Sequence, residues 1–230
     1  MNSFERVFRA GGIQAAAFFV VGAIIFGSQP RVGSSAASLL SFYDGNSTRI
    51  FIATVILGFG VLNLVWFSQA LATALADAGK GGWGRAQTAA SAMLGALYFL
   101  HLALTALLAY TSGSLDRRLA SGLNDFSWVL LVLALFPAAM VVMSGSFGLW
   151  RAGTISTNWF LGGVTVMALL LLGTTTWFGS GFWAVDGGYA RVFAPVVFLV
   201  WVSVASGFLA RQPSALPMAY TRDHAAVPVA

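Results

Sequence analysis

The chain has 230 residues, of which 58% are apolar and only 8% are charged. Soluble domains carry about 25% charged residues, so this composition argues strongly against a water-soluble protein. The net charge is +5, but the basic residues are scattered along the loops and form no Lys/Arg run. This pattern is typical of the loop charges that orient a membrane protein, so we predict no nucleic-acid partner. The length suits six membrane spans of about 20 residues each, joined by short loops.

The residue types also exclude several kinds of site. The chain has no cysteine, so it cannot form a disulfide, a thiolate nucleophile or a Cys-containing zinc site. No Asp, Glu, Lys or Arg lies in the middle of a predicted span, which argues against a retinal protein or an ion-coupled carrier. No G-x-S-x-G elbow occurs. We therefore predict no catalytic residue, no metal and no cofactor, and favour a non-enzymatic protein.

The first predicted helix follows Arg6 and Arg9 and contains the apolar run Ile13–Gly27. A basic segment before an apolar run is also typical of a secretory signal. The tetrapeptide Gly27-Ser28-Gln29-Pro30 is a poor cleavage site, however. We interpret the segment as an uncleaved first membrane helix.

The first loop on the outer side, between Ser28 and Thr48, contains the amphipathic stretch Ala36–Tyr43. One interpretation is a short interfacial helix in which Leu39, Leu40, Phe42 and Tyr43 face the acyl chains. The other is a loop that packs on the core of the bundle. Both remain open from the sequence.

Apolar stretches along the chain predict an all-α bundle of six transmembrane helices, arranged as three hairpins within residues 1–211. Residues 212–230 contain three prolines and few large apolar side chains, and predict a flexible cytoplasmic tail. The predicted spans are 10–27, 50–75, 86–111, 128–150, 157–178 and 192–210.

Six spans place both termini on the same side of the membrane. That side carries seven of the 12 Lys and Arg residues and the other side carries five, which favours cytoplasmic termini in a bacterial plasma membrane. The inverted orientation is the alternative. Glycine, alanine and serine pairs such as Ser144 and Gly148 predict close helix contacts, and Pro137 predicts a kink in the fourth span.

A short repeat occurs in the loops on the outer side. Residues 44–51 and 186–193 both read D-G-x-x-x-R-[IV]-F, and each copy opens a predicted helix. The repeat places Asp44 with Arg49, and Asp186 with Arg191. One interpretation is structural, with helix capping and Asp–Arg pairing. The other is a binding site for a polar head group or a partner.

Few polar side chains lie inside the predicted spans, and three of them are His101, Asn63 and Gln69. A polar group in hydrocarbon needs a partner, so these side chains must face the bundle interior. His101 and Asn63 lie at similar depths in adjacent antiparallel helices, where they could hydrogen-bond. The alternative is a cavity for a lipid or another amphipathic ligand, lined by these three residues, with Trp66 as a further candidate contact.

Several short motifs are spread along the chain. They are Ser41-Phe42-Tyr43, Thr48-Arg49, Phe136-Pro137-Ala138, Leu149-Trp150-Arg151-Ala152-Gly153-Thr154-Ile155, Trp159 and Trp201. In these motifs the chain resembles uncharacterised multi-spanning membrane proteins of high-GC actinobacteria. The resemblance covers most of residues 10–211 and implies six or so helices, without a known reaction or a catalytic residue.

These observations predict an accessory or scaffold subunit, or a lipid-interacting module, of a bacterial membrane complex. Its partners would be membrane lipids and either other membrane subunits or a second copy. The alternative is a small transporter or channel for a hydrophobic or neutral solute, acting around His101, Asn63 and Gln69. An intramembrane enzyme of unknown type comes third. A continuous cavity reaching His101 would favour transport, and a dry packed core would favour the accessory subunit.

Overall fold

The computed structural model describes residues 7–211, and the predicted cytoplasmic tail, 212–230, lies outside the described residues. This part of the chain is all-helical and contains no strand between residues 7 and 211, as predicted. The α-helices are α1 (Gly11–Phe26), α2 (Ala36–Gly45), α3 (Ser47–Asp77), α4 (Gly81–Thr111), α5 (Arg117–Leu133), α6 (Leu135–Arg151), α7 (Thr157–Gly173) and α8 (Ala194–Arg211). Two short 3₁₀ turns and a π turn, Tyr189–Phe193, connect α7 to α8.

Five helical segments in the described range are long and apolar enough to cross a membrane. They indicate a multi-pass membrane protein. The apolar helix α1 has only 16 residues, fewer than the 18 predicted for the first span. The five long segments are Ser47–Asp77, Gly81–Thr111, Arg117–Arg151, Thr157–Phe178 and Tyr189–Arg211.

The fourth predicted span begins earlier than residue 128 and is interrupted. The Asp116 side chain accepts hydrogen bonds from the backbone N–H groups of Arg118 and Leu119, so α5 begins at Arg117. A turn at Ala134 separates α5 from α6. Pro137 has no N–H to donate to the carbonyl four residues earlier, which explains the break next to it.

Hydrogen bonds join the loops at one end of the bundle, which we call the long-loop end (residues 27–46, 112–116 and 174–188). The N–H of Val32 donates to Asp186, and the N–H of Gly33 donates to Asp125. The short connections 78–80 and 152–156 follow helices that run away from the long-loop end.

Small residues allow the helices to approach closely. An ideal Cβ on Gly84 would lie 2.7 Å from the backbone carbonyl oxygen of Ala72, so α3 and α4 touch through their backbones there. An ideal Cβ on Gly148 would lie 2.7 Å from the Leu75 side chain, so α3 and α6 are also in close contact. The close helix contact predicted at Gly148 is confirmed, and the one at Gly84 is a further contact of the same kind.

The segment Ala36–Gly45 is a helix, as one interpretation predicted, and the Ser35 hydroxyl accepts a hydrogen bond from the N–H of Ser38 at its start. Leu39 and Tyr43 are fully buried in protein and do not face acyl chains. These two side chains contribute to an apolar cluster with Ile50, Leu108 and Ala120, among others. Helix α2 therefore packs over the long-loop end of the bundle.

Candidate functional site

A cavity of about 220 Å³ lies among α1, α3, α4, α5 and the segment 190–199. It begins near Gln29 and Arg191 at the long-loop end and reaches Val61, which lies about four turns inside α3. Most of its wall is apolar. Apolar lining side chains include Phe19, Leu57, Val61, Leu102, Leu131 and Phe198.

His101 of α4 lies in the wall of this cavity and is 9% exposed. Its Nδ1 is 3.1 Å from the backbone carbonyl oxygen of Ser127 in α5. A carbonyl oxygen only accepts, so Nδ1 carries the proton and the neutral ring has an acceptor at Nε2.

His101 lines the cavity, and the acceptor of its neutral ring is Nε2. This atom makes no hydrogen bond to any described residue. Every side-chain N or O atom without exposed surface in residues 7–211 does have a hydrogen-bond partner, so Nε2 must retain exposed surface. The cavity is the space that His101 lines. The arrangement therefore presents a buried acceptor to whatever occupies the cavity.

A buried hydrogen-bond network borders the cavity at the long-loop end. Gln29 lines the cavity, and its Nε2 donates to Ser127 Oγ at 2.7 Å and to Asn124 Oδ1 at 3.4 Å. The Tyr43 hydroxyl donates to the same Asn124 oxygen at 3.2 Å. Burial raises the pKa of Tyr43 above its ordinary value of 10.0, and the Gln29 side chain lowers it by less. The phenol is therefore a neutral donor at physiological pH.

Trp128 connects this network to the cavity wall. Its indole lines the cavity, and Nε1 donates to the backbone carbonyl of Pro30 at 2.9 Å. Asn124 Nδ2 donates to the same carbonyl at 3.4 Å. Helix α5 thus holds the loop after α1 in place with side chains one turn apart.

Arg191 lies in the π turn Tyr189–Phe193, its side chain is partly buried, and it lines the cavity. Its backbone N–H donates to the carbonyl of Gly187, and its side chain makes no hydrogen bond or ion pair to a described residue. The guanidinium therefore has no partner within residues 7–211. Pro195, which cannot donate to the Arg191 carbonyl, lines the same cavity. Single π turns within helices often occur at functional sites.

Of the four residues predicted to line a cavity, the structure places only His101 in this one. Asn63 is buried, but its Nδ2 donates to the carbonyl of Phe59 one turn earlier in the same helix. Gln69 is exposed and accepts a hydrogen bond from Thr88. Trp66 is 48% exposed, and its ring contacts Phe8.

The structure also places His101 and Asn63 with different partners. His101 bonds to α5 and Asn63 bonds to its own helix, so neither uses the other as its hydrogen-bond partner. A helical amide that bonds back to its own helix satisfies its N–H group without a neighbour.

The two aspartates of the outer repeat hold other parts of the chain. Asp44 accepts a hydrogen bond from the hydroxyl of Ser112 at 3.4 Å, and Asp186 accepts one from the N–H of Val32 at 3.2 Å. Neither aspartate caps the helix that follows it. They connect the loops at the long-loop end.

One arginine of the repeat, Arg49, lies close to Gly27. Gly27 has a φ of 76°, and an ideal Cβ there would be 3.3 Å from the guanidinium of Arg49. Gly27 and Arg191 line the same cavity. A side chain at residue 27 would be strained by its backbone and crowded by Arg49, so glycine is required there.

A second cavity of about 150 Å³ lies between α6, α7 and α8. Its wall is apolar and includes Trp159, Val166 and Trp201. Trp201 Nε1 donates to Ser146 Oγ at 3.1 Å, so the indole N–H is already bonded. The two cavities share no lining residue, but α8 passes along both, since Leu199 lines the first and Val200 lines the second.

Sequence reasoning missed Gln29, Asn124 and Arg191 as parts of one site. Gln29 and Asn124 fall in predicted loops, and their partners are about 95 residues away in the chain. The only available signal was the D-G-x-x-x-R repeat, which marked Arg191 without indicating that it faces a cavity. Among the residues that the structure describes, no three His, Asp or Glu side chains form a metal-binding group.

No family model, curated protein or solved structure matches the chain. The resemblance to actinobacterial six-helix proteins remains an expectation. The geometry of the cavity and the chemistry of its lining are therefore the basis for a functional assignment.

Proposed function

We propose that this protein is a lipid-interacting module of a bacterial plasma membrane, which holds one small amphipathic molecule or one lipid chain in the cavity at His101. The observation that carries the proposal is the acceptor Nε2 of His101, which has no partner within the described residues and lies in a largely apolar wall. A polar atom that is largely removed from water and has no partner costs free energy. An occupant with an apolar chain and an O–H or N–H donor removes that cost.

The size of the cavity limits the occupant. Sites for drug-sized ligands enclose about 300–1,000 Å³, and an engineered cavity of about 150 Å³ holds benzene. At about 220 Å³, this cavity cannot enclose a two-chain phospholipid. It accommodates one chain segment or a small amphiphile.

We also propose six spans arranged as three hairpins, with both termini in the cytoplasm. Contacts near the two ends of the described chain support this arrangement. Ser206 of α8 donates a hydrogen bond to the carbonyl of Arg9, and Arg9 donates to the carbonyl of Leu209. The start of α1 therefore lies beside the end of α8, and the two helices are antiparallel neighbours. Because α1 lies antiparallel beside the long apolar helix α8, we propose that α1 crosses the membrane as well.

Single-cysteine labelling tests the six-span arrangement, because the natural chain has no cysteine. We expect a membrane-impermeant maleimide to label Ser114→Cys in intact cells. Ser3→Cys and Ser214→Cys should react only after the cells are opened. Labelling of Ser3→Cys and Ser114→Cys from the same side would show that α1 does not cross.

Native mass spectrometry of the gently extracted protein tests ligand binding. We expect one amphipathic molecule per chain, and we expect Ala23→Leu to reduce its occupancy. Ala23 lies in α1 and lines the cavity, and Ala17 in the same helix is exposed outside it. Ala17→Leu is therefore the matched control. A protein that carries no amphiphile, or that loses it equally in both variants, would contradict the proposal.

The same measurement distinguishes an accessory subunit from a ligand-binding protein. Protein chains that co-purify in fixed stoichiometry, with no amphiphile in the cavity, would favour a scaffold or accessory role. A bound amphiphile together with partner chains would place the lipid-interacting module in a complex.

A transporter for a hydrophobic or neutral solute is the second candidate. The supporting observation is the second apolar cavity, which lies farther along α8 from the long-loop end. In this second proposal, a solute would occupy the two cavities in succession as it passes along α8. Uptake of the identified ligand into liposomes, lost in His101→Leu and retained in Gln69→Leu, would favour transport over binding.

A further inference from the structure

The cavity carries a positive charge as well as an apolar wall. Among its described lining residues, Arg191 is the only charged one. The nearest aspartate in the chain, Asp186, accepts a hydrogen bond from the N–H of Val32 in another loop. No described residue therefore neutralises the Arg191 guanidinium.

We infer that the occupant is a single-chain amphiphile with an anionic head group, which Arg191 binds while the chain lies along the apolar wall of the cavity. This inference rests on the proposed function and adds the charge of the ligand to it. A guanidinium presents a planar set of N–H donors that matches a carboxylate or a phosphate, and two parallel hydrogen bonds give it more specificity than a lone ammonium.

The position of Arg191 suits this role. Arg191 lies at the start of the last helical segment, Tyr189–Arg211, near the long-loop end, where a lipid head group has access to water. The apolar lining residues Pro195, Phe198 and Leu199 follow it into the bundle. A partly buried cation beside hydrocarbon is costly when unpaired, so an anion gains more here than at an exposed arginine.

Carboxylate and phosphate head groups share the required chemistry. A fatty acid and a lysophosphatidylglycerol both have one chain and one negative charge. Only lysophosphatidylglycerol also carries hydroxyl donors for the acceptor Nε2 of His101, because an ionised fatty acid has none. The experiment below compares the two.

Tryptophan quenching provides the test, because the Trp128 indole lines the cavity. The protein is placed in nanodiscs of phosphatidylcholine, which has no net charge. Three dibrominated probes are added: stearic acid at a pH that ionises it, stearyl alcohol, and lysophosphatidylglycerol. The signal is the quenching that disappears in Trp128→Phe, which removes the contribution of the other tryptophans.

We expect the two anionic probes to quench Trp128 at a mole fraction in the nanodisc lipid about tenfold lower than the alcohol requires. Arg191→Gln should abolish this difference and leave the alcohol unchanged, and Arg191→Lys should retain part of it. Arg31→Gln is the matched control, since Arg31 is an exposed arginine of the long-loop end outside the cavity lining. The anionic probe that quenches Trp128 at the lower mole fraction identifies the preferred head group.

The outcomes separate this inference from the proposed function. Equal quenching by the acid and the alcohol in the parent protein would overturn the anionic ligand but leave the cavity as a binding site. No Trp128-dependent quenching by any probe, or quenching that Ala23→Leu does not reduce, would overturn both. If Arg191→Gln does not fold, the comparison of Arg191→Lys with Arg31→Lys replaces it.

Discussion

Ser144 of α6 donates a hydrogen bond of 2.5 Å to the side-chain oxygen of Gln87 in α4. The Gln87 amide donates in turn to Ser68 of α3 at 3.3 Å. All three side chains are fully buried. A single glutamine therefore connects three helices through polar contacts in an otherwise apolar interior.

The first prediction concerns this glutamine. Gln87→Leu should lower the free energy of unfolding by about 1–2 kcal/mol, because interhelical hydrogen bonds in membranes contribute about 1 kcal/mol each. The loss is limited because Ser144 can bond to the carbonyl of Met140 in its own helix. Unfolding in mixed detergent measures the change. Gln69→Leu is the control, since Gln69 is exposed, and an equal loss in the two variants would contradict the prediction.

Asn124 should be the most sensitive residue at the long-loop end. Asn124→Ala removes the acceptor of Tyr43 and Gln29 and a donor to the carbonyls of Pro30 and Arg31. Buried groups that lose their partners cost about 1–3 kcal/mol each, so we expect a loss of about 2–3 kcal/mol.

Thermal unfolding and limited proteolysis measure this effect, and cleavage between residues 27 and 35 should become faster in Asn124→Ala. Asn158→Ala replaces an exposed asparagine at the start of α7 and should change stability by less than about 0.5 kcal/mol. Unchanged proteolysis in Asn124→Ala would show that the network does not hold the loop.

Two adjacent glycines in α7 should respond differently to the same substitution. An alanine Cβ at Gly163 would collide with Ser146 Oγ, whereas at Gly162 it would meet no atom within 4 Å. Gly163→Ala should therefore cost about 1–3 kcal/mol. Gly162→Ala should cost nothing, since alanine favours a helix over glycine. Parallel melting curves of the two variants test this, and equal melting temperatures would argue against the close contact of α6 and α7.

The alkaline stability of the protein should depend on Tyr43. Burial raises the pKa of Tyr43 above 10.0, the ordinary value that applies in the unfolded chain, so the folded state keeps its proton at higher pH than the unfolded state does. The stabilising contribution of the neutral phenol is therefore fully present below about pH 10 and is lost as the pH rises through the raised pKa.

Unfolding measured between neutral and strongly alkaline pH checks this. Tyr43→Phe should be less stable than the parent at neutral pH, and this difference should shrink as the pH rises. Tyr110→Phe removes a hydroxyl from a side chain that is 82% exposed, and controls for the loss of a phenol. A difference between parent and Tyr43→Phe that does not change with pH would contradict the role of burial.

The positions of the helices could be predicted because the apolar composition of each stretch is a local property. Gln87 shows the limit of that approach. The predicted third span begins at residue 86, so Gln87 falls at its edge, but the helix begins at Gly81 and Gln87 lies inside it. The segment 81–85 includes Arg85 and three glycines, which a hydropathy criterion excludes although they form helix.

The position of a polar residue along its helix could also be predicted, but its rotation about the helix axis could not. The sequence predicts similar depths for His101 and Asn63, yet His101 contacts α5 and Asn63 bonds to Phe59 in its own helix. Which face of a helix meets which neighbour depends on the packing of the whole bundle. The same limit applies to the pairing of Gln29 with Asn124, which depends on how two distant loops meet.

The helices of this protein differ greatly in length. Helices α3 and α4 have 31 residues each, about 46 Å, and α1 has 16 residues, about 24 Å. A hydrocarbon layer is about 30 Å thick. In the proposed six-span arrangement, the long helices fit a layer of about 30 Å by tilting, while α1 is too short to span it. The resulting hydrophobic mismatch thins the lipid layer on one side of the molecule, and favours its accumulation in thinner regions of the membrane.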